Sequence, residues 1–248
     1  MFIHNINPIL LKLGSLEIRY YGLIFALGFV ISYFLIKYLA KKRYLEIDAD
    51  TFLLYEFFGV LIGARFFEVF VYNFSLYKNN FFSWFAIWQG GLSFHGGLIG
   101  AVIAAYIFSK RYKISFYKLA DITILPAAIA LALGRIANFI NGELYGRITA
   151  VPWSVKFQNI EGFRHPSQLY ESIKNFSIFF VLWVLKDKKL PDGFLFWSFI
   201  LMYSVLRFLI EFFREPTRHG LIFNLTFGQW LNVPLIVLGI YFLIKLKK

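Results

Sequence analysis

The chain has 248 residues, of which 59% are hydrophobic and only 16% charged, with a mean hydropathy of +0.63. A soluble domain is nearer about 45–50% apolar and about 25% charged, so a water-soluble globule is excluded. The net charge of +12 sits in short loops between apolar runs, the pattern of a membrane protein rather than of a nucleic-acid surface, and no nucleic-acid partner is expected.

The apolar runs are continuous and do not alternate, which points to an all-α integral membrane protein and away from a β-barrel. There is no cysteine, which removes disulfides, thiolate metal sites and a cysteine nucleophile. His4, His95, His165 and His219 are too scattered for a metal site, and neither metal nor cofactor is expected.

In chain order, the opening MFIHNINPILLKLG lacks the basic start of a cleaved signal peptide and is expected to remain, at the outer interface. Seven transmembrane helices follow, at about 18–38, 51–72, 92–109, 119–140, 168–185, 194–212 and 228–245. Each suits a hydrocarbon core of about 30 Å, given some tilt. The expected domain is one transmembrane unit over 1–248, with a small extracytoplasmic head formed mainly by about 141–167. Lysine and arginine near the span ends number 14 on one side (Lys37 to Arg43, Lys110 to Lys118, Lys186 to Lys189, Lys245 to Lys248) and 7 on the other, Arg218 among them. The N-terminus is therefore expected outside and the C-terminus in the cytoplasm. Trp84, Trp88, Trp153 and Trp230 then fall at the outer interface, and Trp183 and Trp197 at the inner one, as two aromatic belts require.

On that topology the buried polar residues collect at one depth. Tyr20 and Tyr21 open the first span, Arg65 and Glu68 close the second, and His95 opens the third. Arg135, Asn138 and Asn141 close the fourth, and Gln168, Tyr170 and Glu171 open the fifth. Tyr203, Arg207, Glu211 and Arg214 form one helical stripe closing the sixth, and Gln229 opens the seventh. Ionisable groups at membrane depth are costly and mark function, so a polar cavity facing the outer leaflet is expected. Several of these residues also have a structural reading. Arg65 and Glu68, at i and i+3, are expected to neutralise each other. Glu143 and Arg147 are spaced for an exposed i,i+4 pair. Gly59 and Gly63 read as helix packing, Pro126 as a kink, and Asn141-Gly142 as a helix stop. Gly96 and Gly100 form a small-xxx-small face, and the glycines around His95 also let backbone approach a ligand. An outer-leaflet pocket rich in arginine fits phosphate oxygens, and the abundant phosphate there is a phospholipid headgroup.

The stretch GRIANFINGELYG at 134–146 resembles the signature of the bacterial prolipoprotein diacylglyceryl transferase family, Gly-Arg-x-(Gly/Ala)-Asn-Phe-x-Asn-x-Glu-x-x-Gly, at every fixed position. WQGGLSFHGGLIG, RHPSQLYE, RYYG and RFLIEFFREP are similar to further motifs of that family. The resemblance implies transfer of diacylglyceryl from phosphatidylglycerol to the lipobox cysteine of a preprolipoprotein signal peptide, giving a thioether and glycerol phosphate. It implies a multi-pass protein of the bacterial inner membrane, in contact with membrane lipid, with its active site toward the outer leaflet. Family roles map onto Tyr21, His95, Arg135, Asn138, Glu143, Gly146, Arg207 and Glu211. Arg135 and Arg207 would clamp the phosphate. His95, or else Glu143, would take the thiol proton. Tyr21, Asn138, Asn141 and Glu143 would orient the headgroup. The loop from Gly146 to Arg164 is short for the family, which implies a reduced head. The alternative is an outer-leaflet phospholipid-binding or transport protein without catalysis. A transporter would carry polar groups along its whole path and often shows inverted repeats.

Overall fold

Long apolar runs with few interruptions make helices, and each expected span is helical in a computed structural model. It describes residues 1–14, 16–43, 45, 47–215 and 221–247; Pro216, Arg218, His219 and Lys248, used above, lie outside them. The helices are α1 (Tyr20–Lys42), α2 (Ala49–Phe66), the short α3 (Phe74–Tyr77), α4 (Phe94–Tyr112), α5 (Phe116–Ile140), α6 (Ser167–Leu185), α7 (Phe194–Ile210) and α8 (Phe227–Lys245). The protein is mostly helical. Among the described residues, four stretches, α1, α5, Phe194–Phe213 and α8, are long and apolar enough to cross a membrane.

The chain divides into two compact units, Met1–Leu35 with Thr123–Lys248, and Ile36–Ile122. In the first, strand β1 (Phe2–Ile3) pairs in parallel with β4 (Val155–Lys156), while β2 (Ile9–Leu13) and β3 (Leu16–Arg19) form a hairpin. His4 is buried, its Nε2 2.7 Å from the Phe139 carbonyl and its ring edge-on to Phe139. The N-terminal residues are thus tied to the end of α5 and to the 141–167 segment. Helices α7 and α8 pack closely: a Cβ on Gly239 would lie 3.0 Å from Leu201, and Trp197 stacks on Phe242 at 4.0 Å. Short strands β5 (Leu221–Ile222) and β6 (Leu225–Thr226) pair ahead of α8, which Thr226 and Gln229 open with a capping box.

In the second unit, Asp48 caps α2 through bonds from the Asp50 and Thr51 amides. Helices α2 and α4 meet through Gly59, Gly63, Gly96 and Gly100. A Cβ on Gly59 would lie 2.7 Å from the Gly100 carbonyl oxygen, and one on Gly63 or Gly96 would strike the facing backbone. Only glycine permits that approach. Past Phe66, α2 widens into a π-helical turn over Phe67–Tyr72. Arg65 does not pair with Glu68. Its guanidinium donates to the carbonyls of Ser83, Trp84, Gly90 and Gly91 and lies over Tyr77, while Glu68 accepts from Asn73. Four carbonyls match the planar donor fork better than one carboxylate a turn away.

Candidate active site

Helix α5 delivers the signature. It stops at Ile140, and Gly142 takes φ +70°, which a residue with a Cβ adopts only at a cost. The chain turns back on itself: the Glu143 amide donates to the Asn138 carbonyl at 3.1 Å. The Glu143 carboxylate accepts from Asn138 Nδ2 at 2.7 Å and from Asn141 Nδ2 at 3.4 Å. Arg135 Nη1 is 3.5 Å from Asn138 Oδ1, too long for a firm bond. Arg135 and Glu143 both act electrostatically on the Tyr21 hydroxyl. A Glu143–Arg147 pair, which the spacing allows, does not form, because the helix has ended and the two residues no longer lie one turn apart. Arg147 Nε instead donates to the Arg214 carbonyl at 2.7 Å.

Gly146 joins this turn to the segment after α7. It forms a β-bridge with Arg214, and its amide donates to the His165 carbonyl at 2.8 Å. A Cβ there would strike the Phe213 carbonyl and lie 2.8 Å from His165 Cβ. Arg164 locks the same place. Its guanidinium donates to the Gly146 and Glu161 carbonyls, pairs with Glu215 and covers the Tyr145 ring. His165 Nδ1 lies 3.0 Å from the Tyr170 hydroxyl, and burial pulls its pKa below the ordinary value, favouring a neutral ring at pH 7. Gln168 Nε2 donates to the Glu143 carbonyl at 2.6 Å.

Beside this turn, helices α6 and α7 hold a buried ion network. Glu171 is 1% exposed and meets Lys174 Nζ at 2.7 Å and Arg207 Nη1 at 3.1 Å. Arg207 Nη1 also pairs with Glu211, which accepts from Thr226 Oγ1 at 3.1 Å and lies 3.6 Å from Arg214 Nε. Arg135 acts electrostatically on Glu171, Lys174, Tyr203 and Arg214. Four cations, Arg135, Lys174, Arg207 and Arg214, thus face two carboxylates, Glu171 and Glu211. Glu143, which acts beside Arg135 on Tyr21, is a third carboxylate, so one positive charge remains in excess and creates a demand for an anion. Among the described residues, Arg207 Nε and Nη2 have no polar partner, so one edge of its fork can accept a phosphate.

His95 belongs to the other unit. It follows the cap Ser93 at the start of α4, is exposed, and its Nδ1 lies 2.8 Å from the hydroxyl of Tyr72 at the end of the π-helical turn. Gly96 is taken up by the backbone of α2. Among the described residues no cluster of three metal-ligating side chains occurs.

Against known proteins, the family model of prolipoprotein diacylglyceryl transferase matches residues 8–245. The chain belongs to this family. It is 42% identical over 243 residues to a phosphatidylglycerol–prolipoprotein diacylglyceryl transferase of Geobacter sulfurreducens, covering 95% of this chain and 94% of that protein. The protein of that name from Rickettsia bellii is 40% identical over 255 residues, covering 97% and 95% of the two chains. One from Legionella pneumophila strain Lens is 38% identical over 245 residues, covering 96% of each. As a member of a membrane-protein family, the chain has its apolar helices explained. Two residues that shape this transferase-family site were missed in the sequence. Lys174 was legible as a charge three residues after Glu171 inside an apolar run. Arg164 was counted only as a loop charge, although it opens RHPSQLYE.

Proposed function

We propose that this chain transfers the diacylglyceryl group of phosphatidylglycerol to the lipobox cysteine of preprolipoproteins. The curated relatives bear the names of the donor, the acceptor class and the transferred group, and the match runs nearly end to end. The structural observation that supports the reading best is the cation excess beside the signature turn, with one edge of Arg207 unclaimed. The thiolate attacks the glycerol carbon that bears the phosphate ester. A carbon–sulfur bond forms, the carbon–oxygen bond breaks, and glycerol phosphate leaves with the bonding pair. Arg207 and Arg135 grip the phosphate and gain strength as charge builds on the departing oxygen. Glu211 fixes Arg207. Tyr21, Asn138, Asn141 and Glu143 orient the headgroup hydroxyls, and Gly146 keeps the signature turn against Arg214. A thiol has a pKa near 8.5, so a base speeds attack. His95 takes this role through Nε2, with Nδ1–H donated to Tyr72.

The same reading places the chain in the bacterial inner membrane as one domain of seven spans, N-terminus outside and C-terminus in the cytoplasm, with 141–167 as an outer head. The positive-inside count and the family support it. The test is a transfer assay: protein in phosphatidylglycerol liposomes, a lipobox peptide, and a serine-for-cysteine control, read by peptide mass. A gain of one diacylglyceryl group on the cysteine peptide alone is expected. No gain from folded, lipid-bound protein would overturn the catalytic reading in favour of lipid binding.

A further inference from the structure

Lys174 has no task in the reaction as drawn, yet its side chain is only 2% exposed, deep in α6. A buried ammonium is costly unless paired. Its Nζ is 2.7 Å from Glu171 Oε2 and 3.7 Å from the centre of the Tyr203 ring. The other carboxylate oxygen, Glu171 Oε1, faces Arg207 Nη1 at 3.1 Å. We infer that Lys174 is a positioning residue: by occupying Glu171 Oε2, it stops Glu171 from gripping Arg207 at two points and so keeps the Nε–Nη2 edge of Arg207 open for the donor phosphate.

A carboxylate and a guanidinium favour a two-bond fork, and a buried site strengthens that pull. Glu211 offers no relief. Thr226 holds its Oε1, and its Oε2 already meets the same Arg207 nitrogen. With Lys174 in place, both carboxylates touch Arg207 through Nη1 alone. Without it, Glu171 has one cation fewer and closes on the open edge. A lysine suits the position because its charge is compact and the Tyr203 face accommodates it.

The inference rests on the transferase reading. An inactive parent overturns both, whereas an active parent isolates this one. The experiment compares Lys174→Met, Glu171→Gln and the double variant with the parent, as kcat and KM for phosphatidylglycerol per folded molecule. Lys174→Met is expected to lower kcat/KM by about tenfold or more, and the double variant to return to within about threefold of Glu171→Gln. Parental kcat/KM in Lys174→Met, or a double variant about tenfold below Glu171→Gln, would overturn the inference. If Lys174→Met does not fold, Glu171→Gln and the double variant decide. Matching rates support the role, because the ammonium has nothing to hold once the carboxylate is gone. A double variant about tenfold slower than Glu171→Gln refutes it.

Discussion

Arg207 meets both of its carboxylates through one nitrogen, and the rest of its fork faces no polar partner among the described residues. On the proposed reading that geometry is what would capture the phosphate, and a spacing of four to Glu211 in the sequence does not give it. The spacing predicts an ion pair; only the fold shows which edge the pair uses. Gly146 is similar. The signature contains a glycine there, but the reason is the Phe213 carbonyl, which comes from 67 residues later in the chain. Gly146→Ala is expected to destabilise the protein by about 1–3 kcal/mol or more by overpacking, seen as a lower Tm in detergent. An unchanged Tm would mean the two segments separate freely. His95 carries a further prediction. Tyr72 meets Nδ1 at 2.8 Å and leaves Nε2 outside that bond. If His95 is the base as proposed, Tyr72→Phe should slow transfer measurably, by less than the about 10²–10⁴-fold of losing the base itself. Parental rates would separate His95 from the proton transfer or Tyr72 from His95.

At the scale of elements, helices were legible from the apolar runs, and their bounds follow from local chemistry such as the Asp48 cap and the Gly142 turn. The small-residue face of α4 was legible as well, since Gly96 and Gly100 fall one turn apart, and their contacts with Gly59 and Gly63 give it a partner. Partners across elements were not legible. Arg65 looked self-neutralised because Glu68 is one turn away, but its four acceptors are backbone carbonyls, 18 to 26 residues onward. Backbone acceptors leave no trace in side-chain spacing. Arg65 therefore holds the 83–91 segment in place. Arg65→Lys supplies a single point charge for four carbonyls and should loosen that segment. Faster hydrogen exchange at 80–91, with the α2–α4 contact unchanged, is the expected result. Unaltered exchange would show that the segment holds itself.

For the whole molecule, charge asymmetry gives a direction that no single helix gives. The absence of cysteine makes that direction measurable with introduced thiols. A membrane-impermeant maleimide should label Lys156→Cys in intact cells and reach Lys188→Cys only after permeabilisation. The opposite pattern would invert the topology and put the arginine cluster on the cytoplasmic face. The sequence carried the family signature. The balance of four cations against three carboxylates needed the fold, because Glu171 on α6 meets Arg207 on α7 only where those helices pack. The measurement that tests the central claim most directly is the transfer rate of Arg207→Lys beside the parent, in phosphatidylglycerol liposomes with a lipobox peptide. Lysine keeps the charge and loses the two-point fork, so a fall in kcat/KM of about tenfold or more is predicted, with folding retained. Equal rates would contradict the claim that the open edge of Arg207 receives the phosphate.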